Sequence, residues 1–346
     1  MRRLILSFHE VSWKLRRPWC VTPTFLEQCL EVVREKGFRF CTLSELLSSD
    51  ATTPLCTVCL DDGRVGSWVE GGPILSKHAI SAVYYLPTAW LDGEDLPRSE
   101  RYSEILRWPD LAAIVEGGHE IGSHSHHHVR LASLEDSVIE TELRISKDML
   151  ENATGRRCAH FAAPYGDCDS RVVNACSKIG YRSIATTFDG LLASRSTLLR
   201  RVLIQDQGAE ATLDHRLNAL LAEIEWPVVG ILTTTSNEPS AAKFGRADLK
   251  ILSSCATVLA STRNSYELCS GLGVPTALFP ADLSATALAR GIEQAVGTQM
   301  ENAKTYQGAT HMITTLRCRD RVQADRLWQW ADFVAETLSA AAPHLR

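Results

Sequence analysis

No apolar run in this 346-residue chain approaches the roughly 20 residues that a membrane-spanning helix needs, so no membrane span is expected. Basic charge is not in excess either. Thirty-six Lys and Arg against 41 Asp and Glu leave a net charge of −5, which gives no basis for nucleic acid or an anionic membrane as partner. A secretory leader of ordinary form is not expected. Met1-Arg2-Arg3 is basic, but the apolar stretch that follows stops at His9 and Glu10, short of a proper hydrophobic region, so the opening reads as a first strand and a cytoplasmic location is expected. Free thiols are expected in place of a disulfide framework: 11 cysteines, an odd number, sit mostly inside apolar stretches, as thiols do in a reducing compartment. Cys56 and Cys59 form a CxxC with no second CxxC at ribbon spacing. They lie in the strand-like run Pro54–Leu60, where positions three apart face opposite sides, and packing is their expected role. No internal repeat or low-complexity tract interrupts the chain.

What is present is a composition that is 45% hydrophobic, enough for a sizeable core. Over residues 1–205, short apolar runs alternate with helical patterns, the sign of βα units and a largely parallel sheet. Strands are expected at Leu4–Phe8, Leu55–Leu60, Ala79–Leu86, Cys158–Ala162, Ser183–Thr186 and Leu199–Ile204, with Glu120–Gly122 as a strand end. Helices are expected from Thr22 to about Lys36, over Ser44–Leu47, over Trp108–Val115 and over Ser133–Thr154. A second region from about 206 to 346 reads as helix Glu210–Glu223, strands Pro227–Thr233, Thr257–Ala260 and Thr276–Phe279 with helices between, and a terminal amphipathic helix Trp328–Ala341.

Three stretches carry chemistry. Asp61 and Asp62 follow a buried strand and precede Gly63, and neighbouring carboxylates that project differently can take different jobs, one on a cation and one on substrate. The run Gly118-His119-Glu120-Ile121-Gly122-Ser123-His124-Ser125-His126-His127-His128 sets five histidines within ten residues. His124 and His128, four apart, would face the same way on one helical turn, and two His with one carboxylate make a facial metal set with open positions. Phe161-Ala162-Ala163-Pro164-Tyr165-Gly166 follows a further strand and can shape a pocket wall.

In this order the three resemble the motifs of the polysaccharide deacetylase family (the NodB-homology domain, carbohydrate esterase family 4). Cys59-Leu60-Asp61-Asp62-Gly63 stands for the family's Thr-Phe-Asp-Asp-Gly. His124-Ser125-His126-His127-His128 stands for His-Ser/Thr-x-x-His with its Gly-His-Glu-Ile-Gly lead-in, and Ala162–Gly166 for Arg-x-Pro-aromatic-Gly. Phe8-His9 and Val21-Thr22-Pro23 also match. The resemblance implies a distorted (β/α)7 barrel over residues 1–205. It makes Asp61 the general base and Asp62, His124 and His128 the ligands of a metal, zinc foremost, with Co2+, Mn2+ or Ni2+ as other divalent choices. It places the oxyanion on the metal and the backbone N–H of Tyr165, with Pro164 and Tyr165 against substrate, and gives Ser125 the support of the ligand loop. Two departures stand out. Ala162 replaces the Arg that usually pairs with the base, as in the family members that carry Phe-Ala-x-Pro-aromatic-Gly, and no Leu-x-His falls near 198–204 to protonate the leaving amine. His9, His126 and His127 are the positional candidates for that donor and for substrate contact, while His160 alternates into a strand and is expected to be packed.

Residues 226–300 are similar to the donor half of a GT-B-type nucleotide-sugar domain, through the run from Ala260 to Pro280, which would place Ser265 and Glu267 on a nucleotide sugar. The fold expected is therefore α/β throughout: the barrel over 1–205, then a smaller Rossmann-like α/β domain over 206–346 for substrate recognition or partner docking. The expected function is metal-dependent N-deacetylation of an N-acetylated sugar, a nucleotide sugar, a glycolipid or an amino-sugar precursor of a natural product. Hydrolysis of a non-sugar amide or imide on the same scaffold is a second expectation. A carbohydrate- or nucleotide-sugar-binding protein with a weakened hydrolase site is a third.

Overall fold

The computed structural model describes residues 2–205 apart from Arg16, Pro18, 50–52, Asp95, Tyr102 and 193–196. Beyond them it describes 210–223, 228–234, 245–255, 257–260, 269, 276–278, 301–307 and 311–317. By its contacts the chain divides into two compact units, Met1–Leu192 with Leu198–Leu220, and Ala193–Thr197 with Leu221–Arg346. No helix among the described residues is long and apolar enough to cross a membrane.

In the first unit β1 (Arg3–Phe8) leads through two short strands, β2 (Glu10–Val11) and β3 (Cys20–Val21), into α1 (Pro23–Glu35). Thr22 caps that helix, accepting the Phe25 N–H at 3.2 Å, with Pro23 in the first turn where its missing donor costs nothing. There follow β4 (Arg39–Phe40), α2 (Leu43–Ser48), β5 (Leu55–Leu60), α3 (Val65–Val69), α4 (Gly72–Lys77), β6 (Ala82–Leu86) and α5 (Thr88–Asp92). The unit continues with α6 (Asp110–Glu116), β7 (Glu120–Ser123), α7 (Asp136–Thr154), β8 (His160–Ala162), α8 (Ser170–Ile179) and β9 (Ser183–Ala185). It ends with β10 (Leu198–Leu199), β11 (Val202–Leu203) and α9 (Glu210–Glu223). Lys36 pairs with Asp214 at 2.6 Å and Arg216 with Asp189 at 2.8 Å, which ties α9 to this unit.

The main strands are parallel, in the order β10-β9-β8-β7-β6-β5-β1-β11, with β4 beside β5. β10 pairs with β9 and β11 pairs with β1, so the segment 198–203 bridges the two ends of the path. It is one kinked stave, and with β1, β5, β6, β7, β8 and β9 it makes the seven of a distorted (β/α)7 barrel. The run expected as a single strand over Leu199–Ile204 is thus broken at Arg200 and Arg201. β1, β5 and β6 are buried along their whole length, as strands covered on both faces are. Ile5, Cys59, Val83, Tyr85, Ala162, Ala185 and Leu199 belong to one buried cluster drawn from six staves. Cys56 and Cys59 are free, buried thiols in β5.

The second unit has a sheet of order β14-β13-β12-β16-β15, from β12 (Val228–Thr234), β13 (Thr257–Ala260), β14 (Thr276–Leu278), β15 (Glu301–Gln307) and β16 (His311–Arg317). β12, β13 and β14 are parallel, and β16 runs antiparallel to both β12 and β15. One helix, α10 (Arg246–Leu252), is described between β12 and β13. The antiparallel pair was not expected from the sequence. The terminal helix expected over Trp328–Ala341, and most of the GT-B-like run from Ala260 to Pro280, lie outside the described residues.

Candidate metal centre and active site

Asp61 and Asp62 leave the carboxyl end of β5, where the Asp61 N–H still donates to the Phe8 carbonyl at 2.9 Å. The chain then turns sharply through left-handed Asp62 (φ 70°) and Gly63 (φ 63°). That turn separates the two carboxylates. Oδ1 of Asp62 lies 3.4 Å from Nε2 of His124 and 3.3 Å from Nε2 of His128. Ligands about 2.1 Å from a tetrahedral ion stand roughly 3.4 Å apart, so the three atoms have the spacing of a zinc-type half-shell. All three residues are buried. Nδ1 of His124 lies 2.7 Å from the Ala162 carbonyl and can only donate to it, which leaves Nε2 with its lone pair for a cation. Burial alone would raise the Asp62 pKa. The contacts with His124 and His128, followed by the charge of His9, hold it well below the ordinary carboxylate value. Burial holds His128 below its ordinary value, despite Asp62, so its imidazole is neutral, the form that binds metals. The donor set therefore fits a divalent cation.

Asp61 is buried on the other side of the turn, and its Oδ1 accepts from Nη1 of Arg201 at 2.9 Å. The guanidinium is fixed by a second bond, Nε to the Thr186 carbonyl at 2.8 Å, and is itself only 4% exposed. Burial would raise the Asp61 pKa, but the charges of Arg201, His9 and His124 bring it below the usual value. The partner of Asp61 that Ala162 cannot supply thus comes from the kinked stave. The sequence reading missed it. Its signal was an Arg pair inside the apolar run Leu198-Leu199-Arg200-Arg201-Val202-Leu203, since a charge placed in a strand is rarely idle.

The expected helical turn over His124–His128 is instead a loop after β7. Ser125 (φ 61°) and His128 (φ 56°) are left-handed, and the Nε2 atoms converge through that backbone rather than through helical spacing. The loop is held from several sides. Ser125 Oγ accepts the His128 N–H at 3.0 Å, and Glu142 of α7 accepts the N–H groups of His126 and His127 at 3.0 and 2.9 Å. The side chains of His126 and His127 meet Thr88 and Glu142, outside the Asp62 group. His160 is packed between Ser44 and Ser183, as expected.

Pro164–Gly166 forms a single turn with Tyr165 left-handed (φ 59°) and half exposed. Its ring lies 4.8 Å from that of His128, with the Arg130 guanidinium 4.4 Å from the ring centre. Trp90 stands 4.6 Å from His128. Arg64, fully buried, pairs with Glu100, reaches Oδ2 of Asp62 at 3.5 Å and lies 5.5 Å from the Trp90 ring centre. His9 sits at the carboxyl end of β1, and its Nδ1 is buried without a hydrogen-bond partner. Five non-glycine residues of the described chain are left-handed, and four of them, Asp62, Ser125, His128 and Tyr165, are here. Each such residue costs on the order of 1–3 kcal/mol, so the surrounding bonds must over-determine the loop shapes. Ser265 and Glu267 lie outside the described residues.

Residues 49–184 match the family model of polysaccharide deacetylases. Over 73 residues the chain is 33% identical to a chitooligosaccharide deacetylase of Azorhizobium caulinodans, covering 21% of this chain and 35% of that protein. It is 22% identical over 193 residues to YxkH of Bacillus subtilis, whose name also carries polysaccharide deacetylase, covering 54% and 64%. The chain thus spans from about a third to just under two thirds of these relatives. Among solved structures, the Streptococcus pyogenes deacetylase PplD in complex with acetate superposes with a TM-score of 0.54 at 18% identity, over 64% of this chain and 98% of that one, a likeness of fold.

Proposed function

We propose that this chain, whose residues 49–184 match the family model of polysaccharide deacetylases, is a divalent-metal-dependent N-deacetylase that hydrolyses the acetamide of an N-acetylated sugar. The observation that carries the proposal is one turn presenting Asp62 to two histidine Nε2 atoms and Asp61 to a buried arginine. Asp62, His124 and His128 would hold the cation, zinc foremost. Bound there, it would supply Lewis acidity, lowering the pKa of a water and polarising the acetamide carbonyl.

The chain's own residues do the rest. Asp61, kept ionised by Arg201, takes the water's proton; a weak base suffices where the water is already acidified. The N–H of Tyr165, presented by its left-handed turn, donates to the developing oxyanion. His9 delivers a proton to the departing nitrogen. Of the three histidines named for that step, it is the one whose charge acts on both aspartates, while the side chains of His126 and His127 engage Thr88 and Glu142. The new C–O bond replaces the C–N bond, and acetate and a free amine leave.

Acetate release from N-acetylated mono- and oligosaccharides and sugar conjugates by the zinc-loaded protein tests this. Activity should vanish in Asp61→Asn with the metal retained. Full activity in that variant, or none in the wild type on any acetamide, removes the reading.

A further inference from the structure

Two residues past His128, the exposed Arg130 lies over the ring of Tyr165, its guanidinium 4.4 Å from the ring centre. The same ring lies 4.8 Å from that of His128, so Tyr165 meets both a candidate metal ligand and this cation. The backbone under Arg130 is pinned. Its carbonyl accepts the Ser133 N–H at 3.3 Å and the Ser133 hydroxyl at 2.7 Å, and Leu131 beside it is fully buried. Asp167, two residues after Tyr165, accepts the Ala132 N–H at 3.0 Å, and Arg171 donates to the Ala132 carbonyl at 2.6 Å. The histidine loop and the Tyr165 loop thus hold one another, and the stacked pair is built on both.

Neighbouring guanidinium groups are engaged by the protein itself. Arg201 is held by Asp61 and the Thr186 carbonyl, Arg64 by Glu100 and Asp62, and Arg171 by Asp169, Asp136 and two carbonyls. Arg130 differs. Among the described residues its side chain has the Tyr165 ring and neither a hydrogen bond nor an ion pair. A guanidinium held by its face keeps its edge, where the N–H groups lie in one plane, for a ligand. Two parallel N–H groups match the paired oxygens of a carboxylate or a phosphate, which a neutral hydroxyl cannot offer. The acids that act on the Tyr165 phenol do not cancel this charge. Asp62 faces the two histidines of the cation site, and Glu100 pairs with Arg64.

We propose that Arg130 determines specificity: its guanidinium binds an anionic group, phosphate or carboxylate, carried by the N-acetylated sugar whose acetamide is cut. The inference rests on the deacetylase reading above. It is tested with the zinc-loaded full chain by comparing kcat/KM for acetate release from N-acetylglucosamine, its 1-phosphate, its 6-phosphate and 2-acetamido-2-deoxyglucuronic acid. Kd for the same four sugars is measured by calorimetry on Asp61→Asn. At least one anionic sugar should exceed the neutral one by about ten- to a hundredfold, the gain expected of a charge-assisted pair, and mostly through KM. Which of the three leads distinguishes phosphate from carboxylate. The ratio of anionic to neutral sugar should shrink as salt is raised, fall towards unity in Arg130→Gln and return in part in Arg130→Lys. Equal efficiency and affinity for all four sugars, or an anionic advantage that survives Arg130→Gln, overturns the inference and leaves the deacetylase reading standing. No acetate from these or any other N-acetylated sugar overturns that reading itself, and the Kd ratio alone then decides for or against Arg130.

Discussion

Asp61 and Asp62 are neighbours in the chain, yet they are held by different parts of the molecule. Asp61 depends on one buried ion pair to Arg201, 140 residues away, which forms only when the last stave closes the barrel. Asp62 depends on loops, with two histidines from the segment after β7 on Oδ1 and Arg64, two residues on, near Oδ2. The base side is therefore coupled to global folding, and the metal side to local loop geometry that α7 fastens through Glu142. Damage to the first should appear as lost stability, and damage to the second as lost metal.

The largest effect expected is on the metal side. Asp62→Ala removes the oxygen that meets both histidines and should lower zinc affinity by more than about 100-fold, beyond the 10- to 100-fold typical of outer partners. Zinc per protein, measured after dialysis, checks this. Affinity equal to wild type would dissolve the distinction between the two aspartates. Arg201→Met tests the base side. It leaves the Asp61 carboxylate buried and alone, and should cost about 3–5 kcal/mol in urea unfolding while zinc binding persists. The pH dependence has a definite sign. Asp61 has a folded pKa below its unfolded one, so its contribution is present above the unfolded value and is lost as pH falls through the folded value. Without Arg201 the carboxyl rises, and the acid limb of the rate profile should move to higher pH. Adding Asp61→Asn to Arg201→Met should restore part of the lost stability, because the orphaned charge is gone.

The two sides also differed in how far the sequence revealed them. Asp62, His124 and His128 could be read because each stands in a short motif with its own turn, in a recognisable order. Arg201 could not, because the pairing lies between staves distant in sequence, and the resemblance directs attention to position 162. There the side chain is a methyl in the barrel core while the carbonyl orients His124. Spacing by four suggested a helical turn for the histidines, but spacing cannot report the left-handed φ of Ser125 and His128. Strand positions in the barrel followed from apolar runs, and Leu55–Leu60 falls where its run predicted. The β15–β16 pair was missed because its strands mix polar and apolar residues with few long aliphatics, so their ladder rather than their composition defines them.

A smaller effect should follow from loosening the fastening of the histidine loop. Glu142→Gln keeps the shape but removes the charge that accepts two backbone N–H groups and faces His127. Zinc affinity should fall about tenfold, the low end for an outer partner, with little change in unfolding free energy. A large loss of stability with unaltered zinc binding would show that the loop is part of the global fold, and the contrast drawn above would fail.

The smallest effect concerns a buried carboxyl near Arg64, on the metal side. Glu10 is 1% exposed, its Oε2 has no partner, and burial raises its pKa despite the hydrogen bond to Ser103 and the charge of Arg64. A carboxylic acid with a raised folded pKa stabilises the protein fully below its unfolded value, and that contribution is lost as pH rises through the folded value. Glu10→Gln, which imitates the protonated form, should therefore raise the Tm of metal-free protein at pH 7 and leave it unchanged near pH 4. The Arg64 charge that Glu10 shares would then fall more fully on Asp62 and Glu100, so zinc affinity should shift slightly while the Arg201-dependent acid limb stays where it was. A shift of that limb instead would mean that the two sides communicate through the buried charges, and that closing the barrel and arranging the loops are one event rather than two.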